Sequence, residues 1–226
     1  MTRFDALLFD FDGVLIESEE SGNRHLADYL TGAGYPTTPE QTMARFMGLS
    51  GKDFLAAIEA HIGAPIPPGF QQARRVEDER CLIEGIAEVA GATAFVRALP
   101  AGLPRAVVSS SRVRWIATHL EHLGLRDAFG VHLYSGAEHV TNGKPAPDLY
   151  LYAADKLGVA IERCAIIEDS PVGATGAVAS GAFVIGLVAG GHCAPDHGDR
   201  LRAIGVKAVA SNFDEVTAIL GLSDQS

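Results

Sequence analysis

Two carboxylates one residue apart, Asp10 and Asp12, close the apolar run Ala6-Leu7-Leu8-Phe9, and Gly13 follows at once. Other polar groups stand in comparable places. Ser109-Ser110-Ser111 follows Val107-Val108, Glu168-Asp169-Ser170 follows Ile166-Ile167, and Lys144 sits in the loop Asn142-Gly143-Lys144-Pro145. Each has an ordinary explanation: Asp-Gly as turn chemistry, a hydroxyl or an acid capping the next helix, a lysine on a loop. Together they converge on one edge of a sheet. Asp10, Asp12, Glu168 and Asp169 would gather four negative charges, and like charges about 4 Å apart repel by roughly 4 kcal/mol at an effective dielectric near 20. Such a group needs raised pKa values or a cation. An all-oxygen donor set suits Mg²⁺. Lys144 and the Ser109 hydroxyl then read as holders of a phosphoryl group beside a carboxylate nucleophile.

These side chains need a scaffold of strands that end at one edge. Short apolar runs at Ala6–Phe9, Arg105–Val108, Val131–Tyr134, Cys164–Ile167, Phe183–Leu187 and Ala208–Ala210 read as strands buried on both faces. Helical patterns at Ala92–Leu99, Arg112–Leu123, Pro147–Leu157 and Pro171–Ser180 alternate with them. Alternation of this kind predicts βαβ units and a parallel sheet, with ligands at the carboxyl ends of the strands. Residues 17 to 84 break the rhythm with four helical patterns and no strand. They read as an all-helical insertion, which divides the chain into 1–16 with 85–226 and 17–84.

Composition narrows the partners. The 226 residues carry 47% hydrophobic and 20% charged side chains, as a folded protein does. A net charge of -10 disfavours nucleic acid and anionic membrane surfaces. No apolar run is long enough to span a bilayer, and no signal peptide is visible. Cys81, Cys164 and Cys193 are odd in number and widely spaced, which fits reduced thiols in the cytoplasm.

The four motifs, in this order, resemble those of the haloacid dehalogenase superfamily, in the group with a helical cap after the first motif. The resemblance spans almost the whole chain. It implies a Rossmann-like three-layer α/β/α core with a parallel sheet, plus the inserted cap. By the same resemblance Asp10 is the nucleophile and Asp12 the general acid and base. Ser109, with Ser110, and Lys144 hold the phosphate, and Asp10, Asp12 (through its carbonyl), Glu168 and Asp169 hold Mg²⁺. The activity implied is hydrolysis of small phosphoesters, phosphosugars above all, by a monomer or weak homo-oligomer. Hinges are expected near Leu15–Ser18 and Ile83–Ile86.

Asp12 favours phosphoester chemistry, because the dehalogenases and phosphonoacetaldehyde hydrolases of this superfamily lack an acid there. The sharper rival is a sugar-phosphate mutase of the β-phosphoglucomutase type. Such mutases carry a His where Gly22 stands here, with His25 nearby, and a cap Arg where Gly51 stands, with Lys52 beside it. Both differences favour the phosphatase. Arg45, Arg74 and Arg75 are further cap cations, but only Lys52 lies in the stretch Met47–Asp53 that resembles a specificity loop.

Other signals are weaker. Receiver domains share an acid, hydroxyl and lysine set but are about half this length. Lys144-Pro145 is not a P-loop, no Gly-x-Gly-x-x-Gly follows a strand, and Ser109–Ser111 is not a nucleophile elbow. Residues Gly190 to Asp199 hold two histidines and a cysteine but match no closed zinc spacing. They read as a loop near the rim of the site. His119 and His122, beside Glu121, read as solvated surface.

Overall fold

The computed structural model describes residues 4–46 and 51–222. Six strands form one parallel sheet in the order β3-β2-β1-β4-β5-β6. They are β1 (Ala6–Phe9), β2 (Arg105–Ser109), β3 (Leu133–Ser135), β4 (Cys164–Glu168), β5 (Phe183–Leu187) and β6 (Ala208–Ala210). β1 is buried throughout, as an interior strand covered on both faces must be. Its register sets Phe9 beside Ile167 of β4 and Val107 of β2. The strand order turns back on either side of β1, so the crevice beyond β1 and β4 is the topological switch point where open sheets bind ligands.

The expected α/β class is therefore observed. One strand differs in its bounds. Val131 is 82% exposed, and β3 begins only at Leu133, which pairs with Val107. The apolar character of Val131 does not reflect burial.

By its contacts the chain divides into Met1–Glu17 with Ala87–Ser226, and Ser18–Ile86. The second unit is built from α1 (Ser18–Gly32), α2 (Pro39–Phe46), α3 (Gly51–Ile62) and α4 (Phe70–Glu84). Leu26, Leu30, Phe46, Ile58 and Phe70 form its core. Arg74 stacks on the Phe54 ring at 5.3 Å, so this arginine belongs to the unit's own packing. Residues 47–50 of the Met47–Asp53 stretch lie outside the described residues.

The sheet unit continues through α5 (Ala92–Ala98), α6 (Val113–His122), α7 (Arg126–Phe129), α8 (Asp148–Leu157), α9 (Pro171–Ser180), α10 (His197–Ile204) and α11 (Phe213–Leu220). Where the chain leaves and re-enters this unit, Glu17 N donates to Ala87 O at 2.9 Å and Ile16 bridges Glu88 antiparallel.

Helix α9 is made almost wholly of small residues, and this decides how closely it approaches the sheet. A Cβ on Gly173 would lie 1.8 Å from Glu168 Oε1, and one on Gly176 would lie 2.8 Å from the Ala146 carbonyl oxygen. Gly173→Ala cannot be accommodated without displacing the helix or the buried glutamate. It should destabilise the protein by about 3 kcal/mol, read as a drop in the denaturant midpoint. A neutral substitution would mean that α9 sits farther from β4.

Candidate active site

Three of the expected groups lie at the ends of β1 and β4. The Asp10 backbone N–H donates to Ile167 O at 2.9 Å, continuing the ladder just beyond β1. Its side chain points into a buried cluster with Glu168 and Asp169, whose oxygens approach one another within 4.8 Å. Lys144 enters from the loop before α8. Its Nζ donates to Asp10 Oδ1 at 2.5 Å and to Glu168 Oε1 at 2.6 Å, and the lysine side chain is only 4% exposed.

Glu168 is braced from every side. Its Oε1 also accepts from the Tyr150 hydroxyl of α8 at 2.6 Å. Its Oε2 accepts from the Ser170 N–H and the Ser170 hydroxyl, each at 3.1 Å. The Ser170 Oγ accepts in turn from Gly173 N and caps α9. The cap is thus the serine, and the acids before it are left to the site.

Asp12 is held from the β2–α6 turn. The Ser111 hydroxyl donates to Asp12 Oδ2 at 2.6 Å, the Ser109 hydroxyl reaches the same oxygen at 3.3 Å, and Trp115 Nε1 donates to Oδ1 at 3.2 Å. Helix α6 starts without a side-chain cap, so these hydroxyls serve the aspartate instead. Ser110 is exposed; its neighbour Ser111 is the one that engages Asp12. Lys52 is an exposed residue of α3.

The charges oppose one another at close range. Burial, then the Glu168 charge, pushes the Asp10 carboxyl well above the usual carboxylate range, against the pull of Lys144. Burial works against the Lys144 charge too, yet Asp10 and Glu168 outweigh it and hold the lysine protonated. Burial raises Asp169, and its bond to His192 opposes the rise.

Here the sequence expectation needs correcting. The loop after β5 does not stay at the rim but turns inward: His192 is 5% exposed, and its Nε2 lies 2.7 Å from Asp169 Oδ2. Two glycines make the room. A Cβ on Gly13 would come within 2.9 Å of the His192 ring, and one on Gly190 within 2.5 Å. Gly13 also has φ 84°, a backbone conformation suited to glycine. His197 belongs to α10 rather than to the loop, and its Nε2 donates to the Asp169 carbonyl oxygen at 2.6 Å.

His119 departs from expectation as well. It is fully buried on the α6 face that carries Ile116 and Leu120, against the Trp115 ring at 4.3 Å. His122 is exposed, as expected. Burial lowers the His119 pKa to about 4, with Asp12 pulling the other way and His122 adding to the drop. A folded value below the ordinary 6.5 places the cost on the acid side. The stabilising contribution of the neutral ring is complete above about pH 6.5 and is lost as pH falls through about 4. Replacing His119 with Phe should flatten the denaturation midpoint across that window. An unchanged slope would locate the acid sensitivity elsewhere.

The sequence profile of the haloacid dehalogenase-like hydrolases matches residues 4–181. The chain belongs to the haloacid dehalogenase-like hydrolases. Among relatives of this hydrolase, hexitol phosphatase A of Escherichia coli is 32% identical over 191 residues, covering 82% of this chain and 83% of that one. The 6-phosphogluconate phosphatase of Escherichia coli is 27% identical over 196 residues, covering 86% and 87%. A haloacid dehalogenase family hydrolase from Deinococcus radiodurans, solved with phosphate and sodium bound, superposes with a TM-score of 0.86. It is 34% identical, with 97% of this chain and 96% of that one covered.

Tyr150, Ser111, Trp115, His192 and His197 touch the candidate acids of this hydrolase without having been singled out for that by sequence. No described helix is long and apolar enough to cross a membrane.

Proposed function

We propose that this hydrolase is a Mg²⁺-dependent phosphatase of small phosphosugars that works through an aspartyl-phosphate on Asp10. The observation that carries the reading is the buried Lys144 ammonium shared by Asp10 and Glu168 at the carboxyl ends of β1 and β4. A cation held there beside a carboxylate is suited to a phosphoryl group and its attacking oxygen.

An Asp10 oxygen attacks phosphorus, and the bond to the sugar oxygen breaks. Asp12 gives its proton to that departing oxygen. It then takes a proton from water, whose oxygen attacks the acyl phosphate and releases phosphate and free Asp10. Lys144 and Ser109 hold the phosphoryl oxygens throughout. Burial works against the ionised Asp10 that this scheme requires, so Lys144 is needed to keep the nucleophile charged.

The donor set also fits a hard divalent cation. Asp10 and Asp169 would supply carboxylate oxygens beside Glu168, Asp169 Oδ1 is buried without a hydrogen-bond partner, and by the resemblance the Asp12 carbonyl would add a further oxygen. Glu168 already accepts four hydrogen bonds, so its main part is to fix Lys144. When bound, Mg²⁺ would supply charge neutralisation to the phosphoryl group and its attacking oxygen.

The phosphosugar class rests on the relatives, whose names specify hexitol phosphate and 6-phosphogluconate hydrolysis. A mutase is less well supported. Gly22 offers no side chain, and His25 pairs with Glu77 within the helical unit at 3.5 Å. The helical unit Ser18–Ile86 is the proposed cap, with Lys52 as its candidate contact to the sugar. The acidic charge and free cysteines suit a cytoplasmic monomer or weak homo-oligomer.

Phosphate release from a panel of sugar phosphates, with Mg²⁺ and with chelator, tests the reading. Mg²⁺-dependent release from a group of phosphosugars is expected, with no isomerised sugar phosphate. Release that is indifferent to chelator would remove the metal. Isomerised product with little free phosphate would restore the mutase.

A further inference from the structure

Next to the carboxylates lies a second group of donors with a different chemistry. His192, Cys193 and His197 each offer one ligand atom, and these atoms lie within 4.8 Å of one another. His192 Nε2 is 3.5 Å from Cys193 Sγ, and the two imidazoles meet edge to face with centroids 5.9 Å apart. His192 and His197 are 5% and 2% exposed. Each has a buried Nδ1 with no hydrogen-bond partner. Buried polar atoms are normally paired, and two unpartnered imidazole nitrogens in a cluster with a thiol call for an occupant.

The donor types say which occupant. Two imidazoles and a thiol favour borderline-soft cations over Mg²⁺. Three protein ligands leave a fourth position, open to water or to Asp169 Oδ2, which already lies 2.7 Å from His192 Nε2. This explains why the sequence shows no closed zinc spacing: the set is an open one, with His192 and Cys193 before α10 and His197 as its first residue. Cys193 is half-buried, whereas Cys81 and Cys164 are buried, so an ion has a way in. The phosphatase scheme uses none of the three.

We propose that His192, Cys193 and His197 form a second metal site, for a Zn²⁺-class cation, touching the carboxylate site through Asp169. On binding, the Cys193 thiol and the His192 imidazolium each give up a proton to solvent, and the thiolate and the freed imidazole nitrogen bond the metal. His192 then leaves Asp169 for the metal, which alters a group the Mg²⁺ site depends on. Zn²⁺ therefore inhibits turnover even when Mg²⁺ is saturating.

Co²⁺, as a coloured substitute for Zn²⁺, gives a direct test that needs no turnover. Metal-free full-length protein is first given excess Mg²⁺ and then titrated with Co²⁺. The expected result is one equivalent bound, with a thiolate-to-cobalt charge-transfer band and the strong visible bands of four-coordinate cobalt, all erased by Zn²⁺. Cys193→Ser should remove the charge-transfer band, and His197→Gln should weaken binding by at least about tenfold. The ratio of turnover with and without Zn²⁺ should rise toward one in both variants. No charge-transfer band, or one that survives in Cys193→Ser, would overturn the site, the latter because it would belong to Cys81 or Cys164. Failure of the phosphatase reading would leave the cobalt spectrum untouched, so the two ideas fail separately.

Discussion

Asp10→Asn abolishes phosphate release, by about 10³-fold or more, while the protein melts within a few degrees of the parent. The amide keeps the shape of the carboxyl but cannot form the acyl phosphate, so the loss should fall on the chemical step. A factor of that size is about 4 kcal/mol of barrier. The stability expectation has its own cause. Lys144 keeps its ion pair with Glu168 at 2.6 Å, and the amide oxygen can still accept from the ammonium, so the neutral amide costs the fold little. Single-turnover phosphate release and a thermal melt on the same preparation read both halves. Residual activity above a few per cent would place the nucleophile elsewhere.

Lys144→Met should lose both activity and stability. The lysine is the cation between Asp10 and Glu168, with a side chain 4% exposed. Methionine fills much of its volume but leaves two buried carboxylates without their shared counter-ion. Removing one partner of a buried ion pair costs about 3–5 kcal/mol. The deficit should be larger in chelator than in Mg²⁺, since a cation bound at the same carboxylates would offset part of the missing charge. Equal melting of variant and parent in chelator would show that the ammonium does not brace the site. Equal deficits with and without Mg²⁺ would show that metal and lysine do not share these carboxylates.

The strands were legible because each is a short apolar run that stops on a polar residue, and a parallel sheet buries both faces of such a run. For the same reason Asp10, Ser109 and Glu168 could be placed at the strand ends. Tyr150 could not, because its role depends on α8 folding back so that its hydroxyl reaches Glu168, 18 residues away. Ser111 and Trp115 reach Asp12 across 99 and 103 residues, a distance no local pattern encodes. His192 was hidden for a different reason: what admits its ring is empty space above Gly13 and Gly190. His119 was recoverable in principle, since Ile116, His119 and Leu120 follow helical spacing on one apolar face. The neighbouring Glu121 drew the reading toward solvent.

The helical unit begins and ends beside one short antiparallel pairing, Glu17 N to Ala87 O and Val89 N to Leu15 O. From the sheet's side, everything from Ser18 to Ile86 is therefore an excursion whose two ends are already together. Such an arrangement can be cut out and rejoined by a short turn, or replaced by a module of another length, without stretching a strand. Closure of so long a detour adds little strain, because loop entropy grows only with the logarithm of length. The chemistry at the strand ends and whatever the detour recognises are thus free to be recombined by simple splicing at one joint.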